Sequence, residues 1–334
     1  MILYNLKKDK LNEIPIDQFK LEKDIQKIVE QNIEEIFNLK FVCSEFSIRN
    51  QRFDTVCFDE ENNSFVIIEY KKDHSFSIID QGYSYLATML DNKSDLILEF
   101  NETTKKTLKK NEVDWSQSRI IFISPTFTSF QKNSINFKDL PFELWEIKKF
   151  SNDLISFSQI LSSSKESFKS IGKKNNLVSK VSQEIKTYDS EDLLNNCSEK
   201  IKDIWAKIYS ILSKSDFDST KFITKPKYIR FASDTNKIIC YFNFRKDHLL
   251  IHIMGGTIYG DGSKGKFFVD IDDYKNKLKK KERVWKGYGD SGRSGSKKSG
   301  KDPVHYEYEI KIKDENEINY LIEMLKQRYK AVNI

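Results

Sequence analysis

Two apolar segments that carry charged residues inside them constrain this chain more than any other feature of its sequence. RFDTVCF (52–58) and SFVIIEYK (64–71) are rich in β-branched and aromatic residues, which favour strands. The polar turn between them is symmetric about the peptide bond that follows Glu61, so a symmetric antiparallel hairpin pairs residues whose numbers sum to 123. The pattern therefore predicts that Asp54 lies opposite Glu69.

The opposed carboxylates of this hairpin need something to compensate them. Directly opposed residues in an antiparallel ladder have Cβ atoms about 4.5–5.5 Å apart, and like charges at that distance are destabilising. Lys71 lies two residues after Glu69 and therefore shares its face of the strand. The residues of opposite parity point to the other side: Val66, Ile68 and Tyr70. Two carboxylates beside an ammonium suit Mg²⁺, with Mn²⁺ as a substitute, whereas without a cation they would share a proton and show a raised pKa.

The periodicity of the surrounding residues predicts an α/β domain over residues 1–150. Apolar residues at helical spacing predict helices over 21–37 and 78–90. Short β-rich runs predict further strands at 41–48, 95–100, 119–124 and 142–150, with a helix between the last two.

The length of the chain predicts a second domain. Residues 151–190 thin to Ser, Lys and Asn and are predicted to be a linker. Residues 191–334 then predict an α+β domain with a helix, strands and a last helix, over 191–212, 227–233, 237–244, 248–254, 305–312 and 314–331. A Gly-, Ser- and Lys-rich basic insertion, 255–302, interrupts it and is expected not to be committed to packing.

Positive charge is concentrated in that insertion. The whole chain has a formal charge of +6, whereas 275–301 carries 11 Lys or Arg against Glu282 and Asp290, a net +9. Such a segment would attract a polyphosphate, and its binding would weaken with salt. The alternative is a solvated basic loop.

The composition excludes several classes of protein. No apolar run is long enough to span a membrane, and the N-terminus lacks a signal-peptide pattern, so a cytoplasmic protein without a membrane partner is expected. The four cysteines are scattered without zinc-ligand or disulfide spacing. Only four histidines occur, so carboxylate chemistry fits better than histidine chemistry.

RFD (52–54) followed by VIIEYK (66–71) resembles the PD-(D/E)xK nuclease superfamily, and no Pro precedes Asp54. Gln81 and Tyr85 match the QxxxY helix of its RecB-like branch, and Glu22 matches an acidic residue in its first helix. The domain resembles the nuclease domain of NucS-type endonucleases most. The resemblance implies a restriction-endonuclease-like αβββαβ core with a mixed sheet, followed here by a smaller α+β domain.

The resemblance also implies site residues and a reaction. Asp54, Glu69 and the backbone carbonyl of Tyr70 would bind Mg²⁺, with Lys71, Glu22 and Gln81 also catalytic. Contacts to nucleic acid are expected from Arg52, Tyr85, Lys279, Lys280, Lys281, Arg283 and Arg293. The expected activity is Mg²⁺-dependent endonucleolytic cleavage of DNA, in repair or in defence against foreign DNA. A non-catalytic nucleic-acid-binding scaffold and a ribonuclease stay open, as does a homodimer that cuts both strands.

Overall fold

The computed structural model describes residues 2–72, 77–137, 140–161, 176–186, 188, 190–235, 237–284 and 304–333. It divides into two compact units, Met1–Thr187 and Tyr188–Ile334, and each is described by itself. The division falls inside the predicted linker, 151–190. None of the described helices is long and apolar enough to cross a membrane.

A mixed β-sheet is the centre of the first unit. The described strands are β1 Leu3–Lys7, β2 Lys10–Ile14, β3 Ile16–Asp17, β4 Lys40–Ile48, β5 Gln51–Asp59, β6 Ser64–Tyr70, β7 Arg119–Ser124, β8 Phe142–Phe150 and β9 Ile155–Ile160. β1 and β2 form a separate hairpin, and the others form one sheet in the order β3-β8-β7-β6-β5-β4, with β9 also on β8. β4, β5 and β6 are antiparallel neighbours, whereas β6, β7 and β8 run parallel. The predicted mixed sheet is therefore present.

Helices cover both faces of this sheet. The described helices are α1 Glu22–Gln31, α2 Ile33–Phe37, α3 Ile78–Asp91, α4 Lys93–Thr104, α5 Ser129–Ser134 and α6 Asn176–Glu184. Ile25 of α1 shares one apolar core with Ile68, and Leu86 of α3 shares another with Ile67. Because consecutive residues of β6 enter opposite cores, this strand is buried on both faces.

The hairpin of β5 and β6 has the predicted register. Each pair from Thr55–Ile68 to the turn has residue numbers that sum to 123, which confirms the register predicted from the turn. The carboxylate of Asp59 accepts hydrogen bonds from two backbone N–H groups of the turn at 3.1 Å each, which fixes the turn. Beyond Thr55 and Ile68, the next residues along the two strands are Asp54 and Glu69.

Three predictions for the first unit need correction. Residues 95–100, predicted as a strand, lie in helix α4. The prediction was wrong because a short apolar run is compatible with either a strand or a buried helix. The predicted helix 21–37 is broken at Asn32, whose side-chain amide donates to a backbone carbonyl one turn earlier at 2.8 Å. The predicted linker, 151–190, contains strand β9 and helix α6, and Val181 of α6 is buried in the core that contains α3.

The second unit has an antiparallel sheet with its apolar core on one face. Its described elements are α7 Ser190–Leu194, α8 Glu199–Leu212, β10 Thr220–Thr224, β11 Tyr228–Ser233, β12 Ile238–Phe244, β13 Leu249–Ile258, β14 Lys279–Val284, β15 Val304–Ile312 and α9 Ile318–Val332. The strand order is β10-β11-β12-β13-β15-β14, and all neighbours are antiparallel. Trp205 of α8 and Leu325 of α9 pack with Phe242 and Ile251 of the sheet.

The basic insertion is more ordered than its composition suggests. Residues 279–284 form strand β14, which pairs with β15 at the edge of the sheet. Phe267 and Leu278 pack against the apolar core, so the expectation that 255–302 is uncommitted to packing is wrong for this part. Residues 285–303 lie outside the described part of the chain.

Candidate metal centre

Asp54 and Glu69 lie where strands β5 and β6 leave their ladder. The backbone N–H of Tyr70 donates to Oδ2 of Asp54 at 3.1 Å, whereas the backbone N–H of Lys71 donates to the carbonyl of Ile123 in β7 at 2.9 Å. The peptide bond between Tyr70 and Lys71 is trans, so the Tyr70 carbonyl points away from β7. That carbonyl therefore points to the side on which Asp54 lies.

The two carboxylate oxygens of Glu69 differ in their partners. Its Oε1 accepts hydrogen bonds from Lys71 Nζ at 2.6 Å and from Gln81 Nε2 at 2.8 Å, and the Tyr85 hydroxyl lies 3.4 Å away. Its Oε2 is buried and has no hydrogen-bond partner among the described residues, and the whole residue is only 2% exposed. Leaving a buried acceptor unsatisfied is unfavourable, so a cation at Oε2 would be stabilising.

Both acidic groups have raised pKa values. Burial, followed by the negative charge of Asp54, raises the pKa of Glu69 from 4.5 to about 7, although Lys71 and Gln81 oppose the shift. Burial also raises the pKa of Asp54, against the hydrogen bond from Tyr70 and the charge of Lys71. A divalent cation would favour the doubly ionised pair.

Helix α1 contacts strand β5 and the segment that follows β6 through three polar residues spaced four apart, which we call the α1 polar stripe: Glu22, Gln26 and Glu30. Glu22 Oε1 accepts the backbone N–H of Lys72 at 2.8 Å. The Gln26 side-chain amide donates to the backbone carbonyl of Asp54 at 3.0 Å and to Glu30 Oε1 at 2.8 Å. The stripe therefore fixes the chain at Asp54 and directly after Lys71.

Glu30, the last residue of the stripe, belongs to a hydrogen-bond network with residues of the sheet. Glu30 Oε1 also accepts the hydroxyl of Thr55 at 2.7 Å and the hydroxyl of Ser44. The Thr55 hydroxyl lies 3.1 Å from the Tyr70 hydroxyl, and both side chains are buried. The sequence reasoning missed Gln26 and Glu30. Their signal was the four-residue spacing of polar residues from Glu22, next to apolar positions of the same helix.

Glu22 lies near the pair of carboxylates without joining them. Its carboxylate is exposed and bound to the Lys72 amide, and its charge contributes to the raised pKa of Asp54. Among the described residues, no three or more Asp, Glu, His or Cys side chains are arranged to hold a metal ion. In this part of the chain, the acidic side chains that converge are therefore Asp54 and Glu69, and a further ligand from the described residues would be a backbone oxygen.

Arg52 and Tyr85 lie at the exposed end of this site. The Arg52 side chain is 63% exposed, and its Nε lies 2.9 Å from Glu45 Oε2. Glu45 also pairs with Lys23 at 2.7 Å. The Tyr85 hydroxyl donates to the Arg52 backbone carbonyl at 3.2 Å, and Gln81 Nε2 donates to that hydroxyl at 3.1 Å. Tyr85 thus links Gln81 to β5.

The other residues predicted to contact nucleic acid belong to the second unit. Lys279, Lys280 and Lys281 lie on the edge strand β14. Lys280 Nζ lies 3.0 Å from Asp270 Oδ1, and Lys281 forms an ion pair with Glu309. The backbone of Arg283 also lies on β14, whereas Arg293 lies outside the described residues.

The first unit is thus a mixed α/β domain with two converging carboxylates. Comparison with known proteins shows which family the whole chain belongs to. An uncharacterized protein of Haemophilus influenzae is 36% identical over 331 residues, which are 99% of this chain and 100% of that protein. The chain therefore belongs to the same family as that protein. No protein-family model matches the chain.

Two solved structures of DNA-related proteins show a partial similarity. A repair endonuclease from Pyrococcus abyssi is 18% identical with a TM-score of 0.23, and the match covers 36% of this chain and 44% of that one. An EndoMS–dsDNA complex is 19% identical with a TM-score of 0.21, covering 39% of this chain and 47% of that one. The chain thus spans less than half of either structure, and TM-scores of this size do not assign a fold or an activity.

Proposed function

We propose that the first unit is a Mg²⁺-dependent nuclease that hydrolyses phosphodiester bonds of DNA. The observation that carries the proposal is the buried Oε2 of Glu69, which has no partner among the described residues although Asp54 lies beside it. A buried carboxylate beside a half-buried one, both with raised pKa values, is typical of a functional site rather than of a structural hairpin.

The available oxygen atoms fit Mg²⁺. This ion prefers oxygen ligands and usually keeps several waters, so two carboxylates and one carbonyl suffice. Asp54, Glu69 and the Tyr70 carbonyl would hold it, and Mn²⁺ would substitute. When bound, the ion supplies Lewis-acid polarisation of a phosphoryl oxygen and makes water more acidic.

The remaining residues of the site would orient the Glu69 carboxylate and the attacking water and stabilise negative charge on the phosphate. Gln81 donates to Glu69 Oε1 and to the Tyr85 hydroxyl, so these two residues fix the carboxylate while Oε2 stays available for a ligand. The ammonium of Lys71 would stabilise negative charge that develops on the phosphate or orient the attacking water. The α1 polar stripe positions Asp54 and Lys71 by holding the backbone at Asp54 and at Lys72, directly after Lys71.

Cleavage of labelled DNA by purified full-length protein tests the proposal. We expect cleavage with Mg²⁺ and none with EDTA, and we expect Lys71→Ala to lower kcat by about 10²–10³-fold. Lys93→Ala is a matched control, because its ammonium pairs with Glu184 on another part of the unit. Activity of Lys71→Ala equal to that of wild type would contradict the assignment. RNA of the same sequence, assayed in parallel, separates a ribonuclease from a deoxyribonuclease.

A non-catalytic nucleic-acid-binding scaffold is the second candidate, and two observations favour it. The described residues provide two converging acidic side chains rather than a larger set, and Lys71 already pairs with Glu69 at 2.6 Å. Titration calorimetry distinguishes the two. Absence of Mg²⁺ and Mn²⁺ binding, together with intact DNA binding, would favour the scaffold.

A further inference from the structure

Gly256 of strand β13 allows another segment of the chain to lie directly on the backbone of this strand. Gly256 has φ +96°, and a Cβ there would lie 2.7 Å from the Cα of Phe268. The backbone N–H of Val269 donates to the Gly255 carbonyl at 2.8 Å. A Cβ at Gly255 would lie 2.9 Å from the ring of Tyr308. A larger residue at Gly256 would therefore push the backbone of Phe267 and Phe268 away from the strand, whereas one at Gly255 would displace the ring of Tyr308.

The segment seated in this way presents aromatic rings beside lysines. The rings of Phe268 and Tyr306 are in edge contact, with centroids 5.9 Å apart and planes at 88°. Lys264 Nζ lies 4.8 Å from the Phe268 centroid, and Lys280 Nζ lies 4.8 Å from the Tyr306 centroid. Lys266 Nζ lies 5.2 Å from the centroid of the adjacent ring of Phe267. We call these residues the lysine–aromatic patch: Lys264, Lys266, Phe267, Phe268, Lys280 and Tyr306.

The patch is accessible and predominantly cationic. Its three lysines are exposed and its three rings are half-buried. Lys280 is already paired with Asp270 at 3.0 Å, so Lys264 and Lys266 are the lysines that would contact an added anion. Each ammonium lies over a ring, and such cation–π contacts are weak at exposed sites, so a phosphate would displace them readily.

We propose that the lysine–aromatic patch binds single-stranded nucleic acid, with phosphates on Lys264 and Lys266 and a base stacked on Phe268. Neighbouring rings and lysines are the combination that single-strand binding uses, since every base has a face that can stack. In a duplex those faces are covered by neighbouring bases. An acidic peptide would satisfy the lysines but has no flat base for the ring. The inference does not depend on the metal centre.

Fluorescence anisotropy with full-length protein in EDTA tests the proposal without cleavage. The probes are a dT oligonucleotide of about 16 nucleotides and an abasic oligomer of the same length. We expect wild type to bind dT about 10-fold more tightly than the abasic oligomer. Phe268→Leu should lose that preference, and Phe268→Tyr should keep it. The comparison of the two probes with wild type remains decisive if Phe268→Leu does not fold.

The lysines are tested through salt dependence. We expect Lys264→Gln combined with Lys266→Gln to lower the slope of log K against log salt by about 1.4, which corresponds to two single-strand phosphates. Lys200→Gln with Lys202→Gln is the matched control, since it removes the same charge from helix α8. Equal affinity for dT and the abasic oligomer would overturn the proposal. So would a Lys264→Gln, Lys266→Gln variant that loses duplex binding as much as it loses dT binding, or displacement of dT by polyglutamate at matched charge.

Discussion

The two sheets of this chain arrange acidic residues in opposite ways. In the first unit, Asp54 and Glu69 lie at neighbouring strand ends, and the pKa of Glu69 is raised to about 7 by burial and by Asp54. In the second unit, Glu309 lies opposite Lys279 and pairs with Lys281, which lowers the pKa of Glu309. The pKa values of two glutamates on strands, Glu69 and Glu309, are therefore shifted in opposite directions.

This difference separates structural charge from functional charge. Opposite charges across strands stabilise a sheet, so the pairing of Glu309 needs no further role. Two neighbouring like charges, one of them buried, weaken the fold, so the arrangement of Asp54 and Glu69 needs another explanation. Binding of a cation provides one.

The largest expected effect that tests this difference is a pH dependence of stability. The pKa of Glu69 is 4.5 as a free group and about 7 in the fold, so the folded chain binds more protons between these values. Without metal, its contribution is present below about pH 4.5 and is lost as pH rises to about 7, by on the order of 3 kcal/mol. Urea unfolding in EDTA at several pH values measures it. Glu69→Gln should lack this component, and identical pH profiles would contradict the assignment.

Mg²⁺ should reverse part of that loss. A ligand that binds the folded state at 100 times its Kd stabilises by about 2.7 kcal/mol. Thermal unfolding at about pH 8 with increasing Mg²⁺ should therefore raise Tm for wild type and leave Asp54→Asn nearly unchanged. In EDTA the Tm of Asp54→Asn should instead exceed that of wild type, because the substitution removes a like charge from beside Glu69. If Mg²⁺ does not change the Tm of wild type, the proposal that Asp54 and Glu69 bind this cation is contradicted.

The register of the first-unit hairpin was predictable because a short polar turn determines which residues pair. The turn length gave the sum of 123, and alternation gave the faces, since Ile67 and Ile68 enter different cores. Local patterns failed where two structures share one pattern. DLILEF (95–100) is apolar enough for a strand, yet it lies in the helix that follows Asn92.

The partners of the site residues required the tertiary structure. Sequence spacing suggested that Asp54, Glu69 and Lys71 converge, but it contains no distance from α1 to the strands. The hydrogen bond from Gln26 to the Asp54 carbonyl joins residues 28 positions apart and so follows from packing. In the second unit, the insertion was judged by composition, which did not reveal that Lys280 lies on a strand.

Gln26→Leu should have an intermediate effect that falls on the first unit alone. It removes the Gln26 amide from the Asp54 carbonyl and one of three donors from Glu30 Oε1, which still accepts Thr55 and Ser44, at a cost of about 1–3 kcal/mol. If the chain is a nuclease, kcat should fall while KM changes little, because Gln26 acts through the Asp54 backbone. Gln31→Leu, at the exposed end of the same helix, is the matched control. Equal kcat for both variants would remove Gln26 from the positioning of Asp54.

Lys281→Ala should have the smallest effect. The lysine is 36% exposed on its side chain and pairs across strands with Glu309, and such pairs contribute about 0.2–1 kcal/mol. We expect a stability loss of about 0.5 kcal/mol by urea unfolding and a rise in the pKa of Glu309 toward its ordinary value, followed by NMR titration. Lys71→Ala should instead raise the pKa of Glu69 further, because Lys71 holds it down. A loss of stability above about 2 kcal/mol for Lys281→Ala would contradict the interpretation of the Lys281–Glu309 pair as a weak cross-strand ion pair.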